Sequence, residues 1–535
     1  MDERAADSPP SWRGDLGCLA ALLVLGLAVR GWIVAHTEVA ARDSIGFIRY
    51  ALHLENPPPW HDPGHPELPP EPQNRLDVVR HAEQPPGYPL AVLAASLPVR
   101  HRLGTTCDSL VLSAQLASLT AGVLLVVPMF FLGQALFGRW VGFAAAALFQ
   151  CLPGPAGITS DALSESTFLL VLTATLLGSV HALRRPTPLR LGLCGFGGGL
   201  AYLVRPEGML VVVALGLTVL LTQLTSQRRP WKAVAGGLAG LAVGAAVLVG
   251  PYAGLIGGLT NKPTPNKVMH GSEGDGPPGS AGPPLAAIFA AWDSEGDSHQ
   301  ARAVWAVRTL LKETTQDFQY AGAVLAVIGL ICLPRRRPVD PGRALLLTLA
   351  LIHAAVLIRM AVVIGYLSER HTLLLVLIGS FWAAAALPIL AGQLVRLPTI
   401  GRRLSGAAVA TLLLVAFLGT GVAGALKPLH ANRAGHHAAG RWLADHMNPS
   451  DKLVDPFCWA HFYSGEFFRE GQTRPPAGPL PVAYVVWEQS NNQHSRLPTM
   501  KLADTIRRDG AIVYSWPENR PVDQATVVVY RNPPP

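Results

Sequence analysis

Long apolar runs separated by short polar breaks fill the chain from Leu16 to Leu426. About eleven of them have the length a bilayer crossing requires, roughly twenty residues of helix. The pattern predicts spans over 16–35, 107–135, 139–158, 162–182, 189–204, 207–225, 232–256, 318–333, 343–363, 371–392 and 404–426. The run from Tyr88 to Val99, about twelve residues, is too short to cross and is read as a helix lying in or dipping into the interface. Ile45, Ile48 and Leu52 recur at helical spacing and predict a second interfacial helix with Asp43 near its start. The fold class is therefore an all-α polytopic membrane protein. Its parts are a tail at 1–15, a first external loop over 36–104 and a long external loop over 257–317. Within the long loop, the Gly/Pro/Ser-rich stretch Gly271–Pro284 suits a lid or a disordered segment.

After Lys427 the pattern changes. Residues 436–446 and Leu502–Arg508 read as helix, while Pro481–Trp487 and Thr526–Tyr530 read as buried strands. This alternation predicts a small external α/β domain over 427–535. No internal repeat of the transporter kind is evident.

Composition agrees with the pattern: half of the 535 residues are hydrophobic and only 15% are charged, too apolar for a soluble chain of this length. The net charge of +8 is accordingly not a nucleic-acid signal. It orients the protein through short basic loops: Arg184-Arg185, Arg228-Arg229 with Lys232, Arg335-Arg336-Arg337 and Arg402-Arg403. Alternating spans put these on the cytoplasmic side, with the amino end inside and the carboxyl end outside. Arg100-His101-Arg102 is the one exception. No small-residue cleavage pattern follows the first apolar run, which is read as a retained span. Cys18, Cys151, Cys194 and Cys332 read as small core residues. No bridge is expected between Cys107 and Cys458 on the external side.

The same alternation puts the helix ends that carry acids and arginines on the external side. They are Arg42-Asp43, Asp161 with Glu165, Arg205-Pro206-Glu207 and Glu369-Arg370-His371. Ionisable groups at membrane depth are costly and usually face a cavity. Asp161 and Glu165 are one helical turn apart and would share a face. Arg370 could hold a phosphate with two hydrogen bonds. Glu83, Gln84 and Tyr88, in the proline-rich approach to the interfacial helix, are candidate sugar or phosphate contacts. Plainer readings stand beside these: Asp43 as a helix cap, Glu207 as a first-turn acid, Arg370 as a snorkelling cation. His61, His65 and His81 lie among acids. Only His61 and His65 have the spacing of a zinc helix, and Pro63, Gly64 and Pro66 oppose a helix there. A divalent metal is left open and unassigned.

Five elements, in order, resemble the GT-C superfamily of membrane glycosyltransferases between Leu16 and Leu426. They are Asp43 after the first span, Gln84-Pro85-Pro86-Gly87-Tyr88-Pro89, Ser160-Asp161-Ala162-Leu163-Ser164-Glu165, Leu203-Val204-Arg205-Pro206-Glu207-Gly208 and Tyr366-Leu367-Ser368-Glu369-Arg370-His371. The resemblance is to the bacterial branch with the protein O-mannosyltransferases and the 4-amino-4-deoxy-L-arabinose transferases of lipid A. It implies a sugar donor on a polyprenyl phosphate and a lipid, protein or glycan acceptor. It further implies an inverting reaction on the external face of a bacterial inner membrane, with no nucleic acid involved. Asp43 stands where the family places its base. Arg370 and Arg205 stand where a cation would hold the leaving phosphate, with Arg42, Glu83, Gln84, Tyr88, Asp161, Glu165, Glu207, Tyr366 and Glu369 as further donor contacts. Asp43 is followed by Ser44 where many relatives carry an acid pair, which argues against carrying over protein mannosylation in particular. The competing reading is a polyprenyl-lipid flippase or transporter, in which a polar path would continue from these groups toward the basic face.

Overall fold

A computed structural model describes residues 12–59, 73–225, 230–262, 299–333, 340–469, 482–489 and 498–533. Helix α1 (Trp12–Ala35) leads into three helices of the first loop, α2 (Arg42–Glu55), α3 (Arg75–His81) and α4 (Gly87–Leu103). The bundle continues with α5 (Cys107–Leu124), α6 (Val126–Phe137), α7 (Arg139–Cys151), α8 (Pro153–Ile158), α9 (Glu165–Arg184) and α10 (Pro188–Val204). Next come α11 (Met209–Thr225), α12 (Trp231–Ile256), α13 (His299–Asp317), α14 (Ala321–Cys332), α15 (Pro341–Ile364), α16 (Glu369–Leu394) and α17 (Gly406–Ala425).

Among the described residues, eight helices are long and apolar enough to cross a membrane, or nine if the bent α13–α14 pair is one span. This makes the chain a multi-pass membrane protein, with fewer full-length helices than the eleven apolar runs suggested. The three shortfalls have local causes. The run over 139–158 is split where Pro153 follows Leu152, since proline cannot donate to the preceding turn. Helix α10 is confined to 17 residues between Pro188 and Pro206. Helix α14 has 12 residues and turns by 103° from α13. The last part of the long 257–317 loop is therefore helix α13, while Gly271–Pro284 lies outside the described residues. The interfacial helices form as expected, although α4 runs on to Leu103. The Arg100-His101-Arg102 exception is partly resolved at its end, where Arg100 pairs with Glu55 of α2 at 2.8 Å.

Helix α16 is the most enclosed of the spans. Its Phe381 and Trp382 pack on Phe137, and Ala144 to Ala147 of α7 are wholly buried. Small residues let helices approach closely where no hydrophobic drive exists between them. At α10–α12, a Cβ on Gly244 would fall on the Gly192 carbonyl. At the start of α4, a Cβ on Gly87 would lie 2.6 Å from the Leu203 carbonyl oxygen, so α4 rests directly on the end of α10. One charge is sunk within the bundle. Arg30 of α1 is fully buried and donates to Gln150 Oε1 of α7 and to Thr159 Oγ1 just after α8. It has no carboxylate partner among the described residues; neutral acceptors from two further segments take its two terminal nitrogens, and its Nε has no acceptor among those residues.

Beyond α17 the chain forms α18 (Ala434–His446), β1 (Lys452–Val454), α19 (Trp459–Tyr463), β2 (Ala483–Glu488), α20 (Pro498–Arg508), β3 (Ala511–Trp516) and β4 (Val527–Asn532). The sheet order is β1-β2-β4-β3, with β1 parallel to β2 and the other pairs antiparallel. Both expected strands and both expected helices form, and β1 and β3 are added. This unit is seated on the first loop and on the start of α5. Trp459 Nε1 donates to the Ala40 carbonyl at 2.9 Å, Arg441 pairs with Asp108 at 2.8 Å, and the Cys107 thiol donates to the Phe462 carbonyl. Cys107 and Cys458 are both free. Phe457, Phe462 and Phe467 join the same apolar cluster as Phe47 and Ile48 of α2.

Glu488 at the end of β2 accepts from Arg433 and from His436, the latter at 3.2 Å. Burial alone would raise its carboxyl, but the His436 hydrogen bond and the Arg433 charge outweigh it and hold it below the usual glutamate value. A depressed carboxyl contributes stability that is present above its unfolded value and lost as pH falls through the folded one. Acidification below the ordinary carboxylate range should therefore loosen this sheet faster in the wild type than in Glu488→Gln. Hydrogen exchange of the β2 and β4 amides against pH reads this directly, and identical profiles would contradict it.

Candidate functional site

At one end of the bundle, α2, α9, the α10–α11 hairpin and α16 each present an ionisable residue at the terminus of a helix. Asp43 lies in the first turn of α2, Glu165 opens α9, Arg205 follows α10 and Arg370 is the second residue of α16. They form one continuous chain of ion pairs. Asp43 Oδ2 meets Arg370 Nη1 at 2.7 Å, and Arg370 Nε reaches Glu165 Oε1 at 2.8 Å. The same Glu165 oxygen accepts from Arg205 Nη1 at 2.7 Å, and Arg205 Nη2 binds Glu207 Oε1 at 3.1 Å. Side-chain exposure rises along the chain, from 3% at Glu165 to 28% at Arg370 and 47% at Asp43, so the network opens at Asp43. Arg205 is braced from below by the Phe168 ring, 5.9 Å from its guanidinium. The second oxygens of Glu165 and Glu207 are buried without a hydrogen-bond donor among the described residues.

Lys262 belongs to this site and was not singled out from the sequence. It follows the left-handed Gly257 that ends α12, and its charge interacts with Arg205, Glu207, Glu165 and Arg370. Burial first, and the neighbouring Arg205 second, push its ammonium below the ordinary lysine value. Asn261 fixes this segment by donating to the carbonyls of Arg80 at 2.7 Å and Ala82 at 3.0 Å, immediately before Glu83. Glu83 is exposed and feels the charges of both Lys262 and Asp43, so it borders the open end. Gln84 is half-buried beside it. The signal that would have found Lys262 was present: it is a cation just past a span, on the side where the other candidates gather.

Other candidates are turned elsewhere. Asp161 does not share a face with Glu165, because residues 159–164 form turns and α9 begins only at Glu165. Its Oδ2 meets His430 Nε2 at 2.8 Å and its Oδ1 accepts from Ala162 N and Ala41 N, so it joins the start of α2 to the segment after α17. Tyr88 is fully buried, its hydroxyl bonded to Ser118 Oγ at 2.8 Å and to the Ala114 carbonyl, and it anchors α4 on α5. Arg42 lies against the Cys458 thiol of the C-terminal unit, where its charge favours the thiolate. Tyr366 is largely exposed, with its ring edge-on to His371. Glu369 is exposed, with Glu313, Arg370 and His430 as its charged neighbours. Among the described residues, no three His, Cys, Asp or Glu side chains gather as a metal site. His61 and His65 lie outside those residues, and His81 ends α3.

The opposite end of the bundle is basic in the way the charge pattern required. Arg139 pairs with Asp15, while Arg184 and Arg343 donate to the carbonyls of Ala135 and Leu136. Arg228-Arg229 and Arg335-Arg336-Arg337 fall outside the described residues.

Residues 102–249 match the profile of the family described as dolichyl-phosphate-mannose-protein mannosyltransferase. No curated protein matches the chain in sequence. Among solved structures, it is similar to the archaeal oligosaccharyltransferase AglB of Archaeoglobus fulgidus, in a complex with an inhibitory peptide and a dolichol-phosphate. That likeness has a TM-score of 0.56 at 13% identity and covers 95% of this chain and 74% of AglB. It is also similar to ArnT of Cupriavidus metallidurans bound to undecaprenyl phosphate, with a TM-score of 0.54 at 14% identity over 96% of this chain and 98% of ArnT. For ArnT in the apo state the TM-score is 0.55 at 14% identity, over 97% and 98% of the two chains. The fold is that of the GT-C membrane glycosyltransferases, and the resemblance drawn from the five sequence elements holds at that level.

Glu165 is the shared acceptor of two guanidiniums, and removing its charge breaks two ion pairs at once, leaving Arg370 with Asp43 and Arg205 with Glu207 as counter-charges. Breaking such a pair from one side costs roughly 3–5 kcal/mol. Glu165→Gln should therefore lower the thermal unfolding temperature of the detergent-solubilised protein by several degrees. Unfolding at the wild-type temperature would show that the network does not hold the four helix ends together.

Proposed function

Starting from the GT-C fold, we propose that this chain is an integral membrane glycosyltransferase. It moves a sugar from a polyprenyl-phosphate donor to an acceptor on the external face of a bacterial inner membrane. The observation that carries this is the ion-pair chain from Asp43 to Glu207. It gathers a half-exposed carboxylate and two guanidiniums, with Lys262 alongside, at one end of a lipid-embedded bundle. The likeness to ArnT bound to undecaprenyl phosphate and to AglB with a dolichol-phosphate supports a lipid-phosphate donor. The positive-inside rule supports an external position for this end, because Arg139, Arg184 and Arg343 lie at the other.

A polyprenyl phosphate is already a competent leaving group, so the enzyme needs only to position it, stabilise its charge and activate the acceptor. Arg370, Arg205 and Lys262 are the groups available for the phosphate. A phosphate would compete with Asp43 for Arg370 and so release the carboxylate toward the acceptor. Asp43 then takes the acceptor proton as that atom bonds the anomeric carbon. The carbon–oxygen bond to phosphate breaks, the electron pair leaves with the polyprenyl phosphate, and the anomeric configuration inverts. Glu165 and Glu207, each with one oxygen lacking a donor among the described residues, would accept from sugar hydroxyls once the network rearranges around the donor. The acceptor is a lipid, a protein or a glycan.

Transport is less well supported. The charged groups cluster at one end, and Ala144–Ala147, Phe130 and Phe381 in the bundle are wholly buried.

Two variants test the assignment in purified protein reconstituted with radiolabelled polyprenyl-phosphate sugars and acceptor extracts. Asp43→Asn should retain donor binding and lose transfer by at least about 100-fold, in the range of a missing general base. Transfer near the wild-type rate would remove Asp43 from that role. Lys262→Met should weaken polyprenyl-phosphate binding about 10-fold or more, as expected for one charge-assisted hydrogen bond of ~1.5–3 kcal/mol. Unchanged affinity would place the phosphate elsewhere.

A further inference from the structure

A second feature lies at the far end of α9. The helix starts at Glu165 in the charged network and ends at Arg184. Its length is about 29 Å at 1.5 Å per residue, close to the roughly 30 Å of a bilayer's hydrocarbon core. The Arg184 end therefore sits at the opposite membrane surface from the candidate site.

Between α9 and α10, on the outside of the bundle, runs a groove of about 780 Å³. Its walls are apolar: Val171, Ala174 and Gly178 from one helix, Leu193, Cys194 and Gly197 from the other. That volume lies within the range of small-molecule sites, roughly 300–1,000 Å³. Leu193 and Leu200 on its rim are 63% and 42% exposed, so it opens sideways to the lipid and not to water inside the bundle. The groove is kept open by small side chains. A Cβ on Gly178 would meet nothing closer than Cys194 Sγ at 4.0 Å, so there is space above it.

One end of the groove is cationic. His181, Arg184, Arg185 and Arg190 all line it. Arg184 donates to the Ala135 carbonyl and Arg190 to the Arg185 carbonyl, and none of the three arginines pairs with a carboxylate among the described residues. Three guanidiniums without a counter-charge, closing an apolar channel at membrane depth, call for an anion with a hydrocarbon tail. From Val171 to Arg184 the channel is about 20 Å long, enough for an acyl chain of one leaflet, whose share of the core is about 15 Å. Basic pockets between spanning helices at the cytoplasmic surface are where anionic headgroups bind.

We propose that the α9–α10 groove seats one anionic diacyl phospholipid of the leaflet opposite the candidate site. Its phosphate lies on Arg184, Arg185 and Arg190, and one acyl chain lies along Val171, Ala174, Gly178 and Leu193. Both helices also carry the network residues Glu165 and Arg205 at their other ends. A seated lipid would therefore brace the hairpin on which the candidate site depends.

Native mass spectrometry of the full-length protein released from nanodiscs of phosphatidylcholine mixed with phosphatidylglycerol tests this. The wild type should retain phosphatidylglycerol several-fold over phosphatidylcholine. The preference should fall to parity in the triple variant Arg184→Gln, Arg185→Gln, Arg190→Gln and survive in the matching triple Lys variant. Gly178→Phe and, independently, Ala174→Phe fill the groove without touching a charge and should abolish the preference as well. A wild type without preference overturns the proposal. So does a preference that survives both groove-filling variants, since that would be surface charge with no seat. Polyprenyl phosphate displacing phosphatidylglycerol would overturn the choice of ligand. A disulfide-linked dimer of Leu193→Cys, formed in the lipid bilayer, would show that a second copy covers the groove.

Discussion

The carboxylate of Glu165 is the point on which the described architecture converges. Alone at that depth it could not remain, because an unpaired buried charge costs several kcal/mol. Two guanidiniums meet it, one from the end of α10 and one from the start of α16, and through Arg370 it reaches Asp43 on α2. Four segments distant in sequence are thereby tied at one membrane surface. Such pairs add little net stability compared with apolar packing, but they allow few alternative arrangements. The helix ends must arrive together or leave charges stranded. That constraint would suit the proposed task of holding a charged phosphate without collapsing around it.

The rest of the fold can be understood as support for this end. Below it, α7 and α16 pack through alanines and large aromatics, and α10 and α12 approach through glycines, so the bundle is tight where it is apolar. Above it, α2 and α4 form a shelf anchored by the buried Tyr88 hydroxyl and by the close contact at Gly87. The C-terminal unit is seated on the segment entering α2 through Trp459 and on the start of α5 through Arg441, with Arg42 acting on its Cys458. Neighbouring residues on one helix thus serve two purposes, one joining the C-terminal unit and the other the charged network. His430 makes a further junction, holding Asp161 from a left-handed backbone conformation at φ 53°.

Much of this was legible from periodicity and charge. The apolar runs located every spanning helix, the clusters of arginine separated the two ends, and the order of acids and arginines identified the resemblance. What periodicity could not supply was where a run breaks. Pro153 divides one stretch into α7 and α8, and the 103° bend divides another into α13 and α14. Spacing along a helix also fails when the helix starts later than expected. Asp161 and Glu165 look paired on a helical wheel, yet they point to different partners because α9 begins only at Glu165. The C-terminal strands β2 and β4, with their valine runs, were readable, whereas β1, at three residues, and β3, with a single Ile-Val pair, carry too weak a pattern to stand out.

By itself the sequence determined that the chain lives in a membrane, which end of it is basic, and that Asp43, Glu165, Arg205, Glu207 and Arg370 belong to one surface. These follow from hydropathy and from the cost of burying charge, which act on each segment independently of its neighbours. Only the tertiary structure decided which of those groups touch. It joined Asp43 to Arg370, made Glu165 the shared partner, brought in Lys262 and Asn261 from beyond α12, and gave Tyr88, Arg42 and Asp161 other partners. The physical reason is that an ion pair depends on the meeting of two helix ends in space. That meeting is set by how the bundle packs, a property that no single stretch of the chain contains.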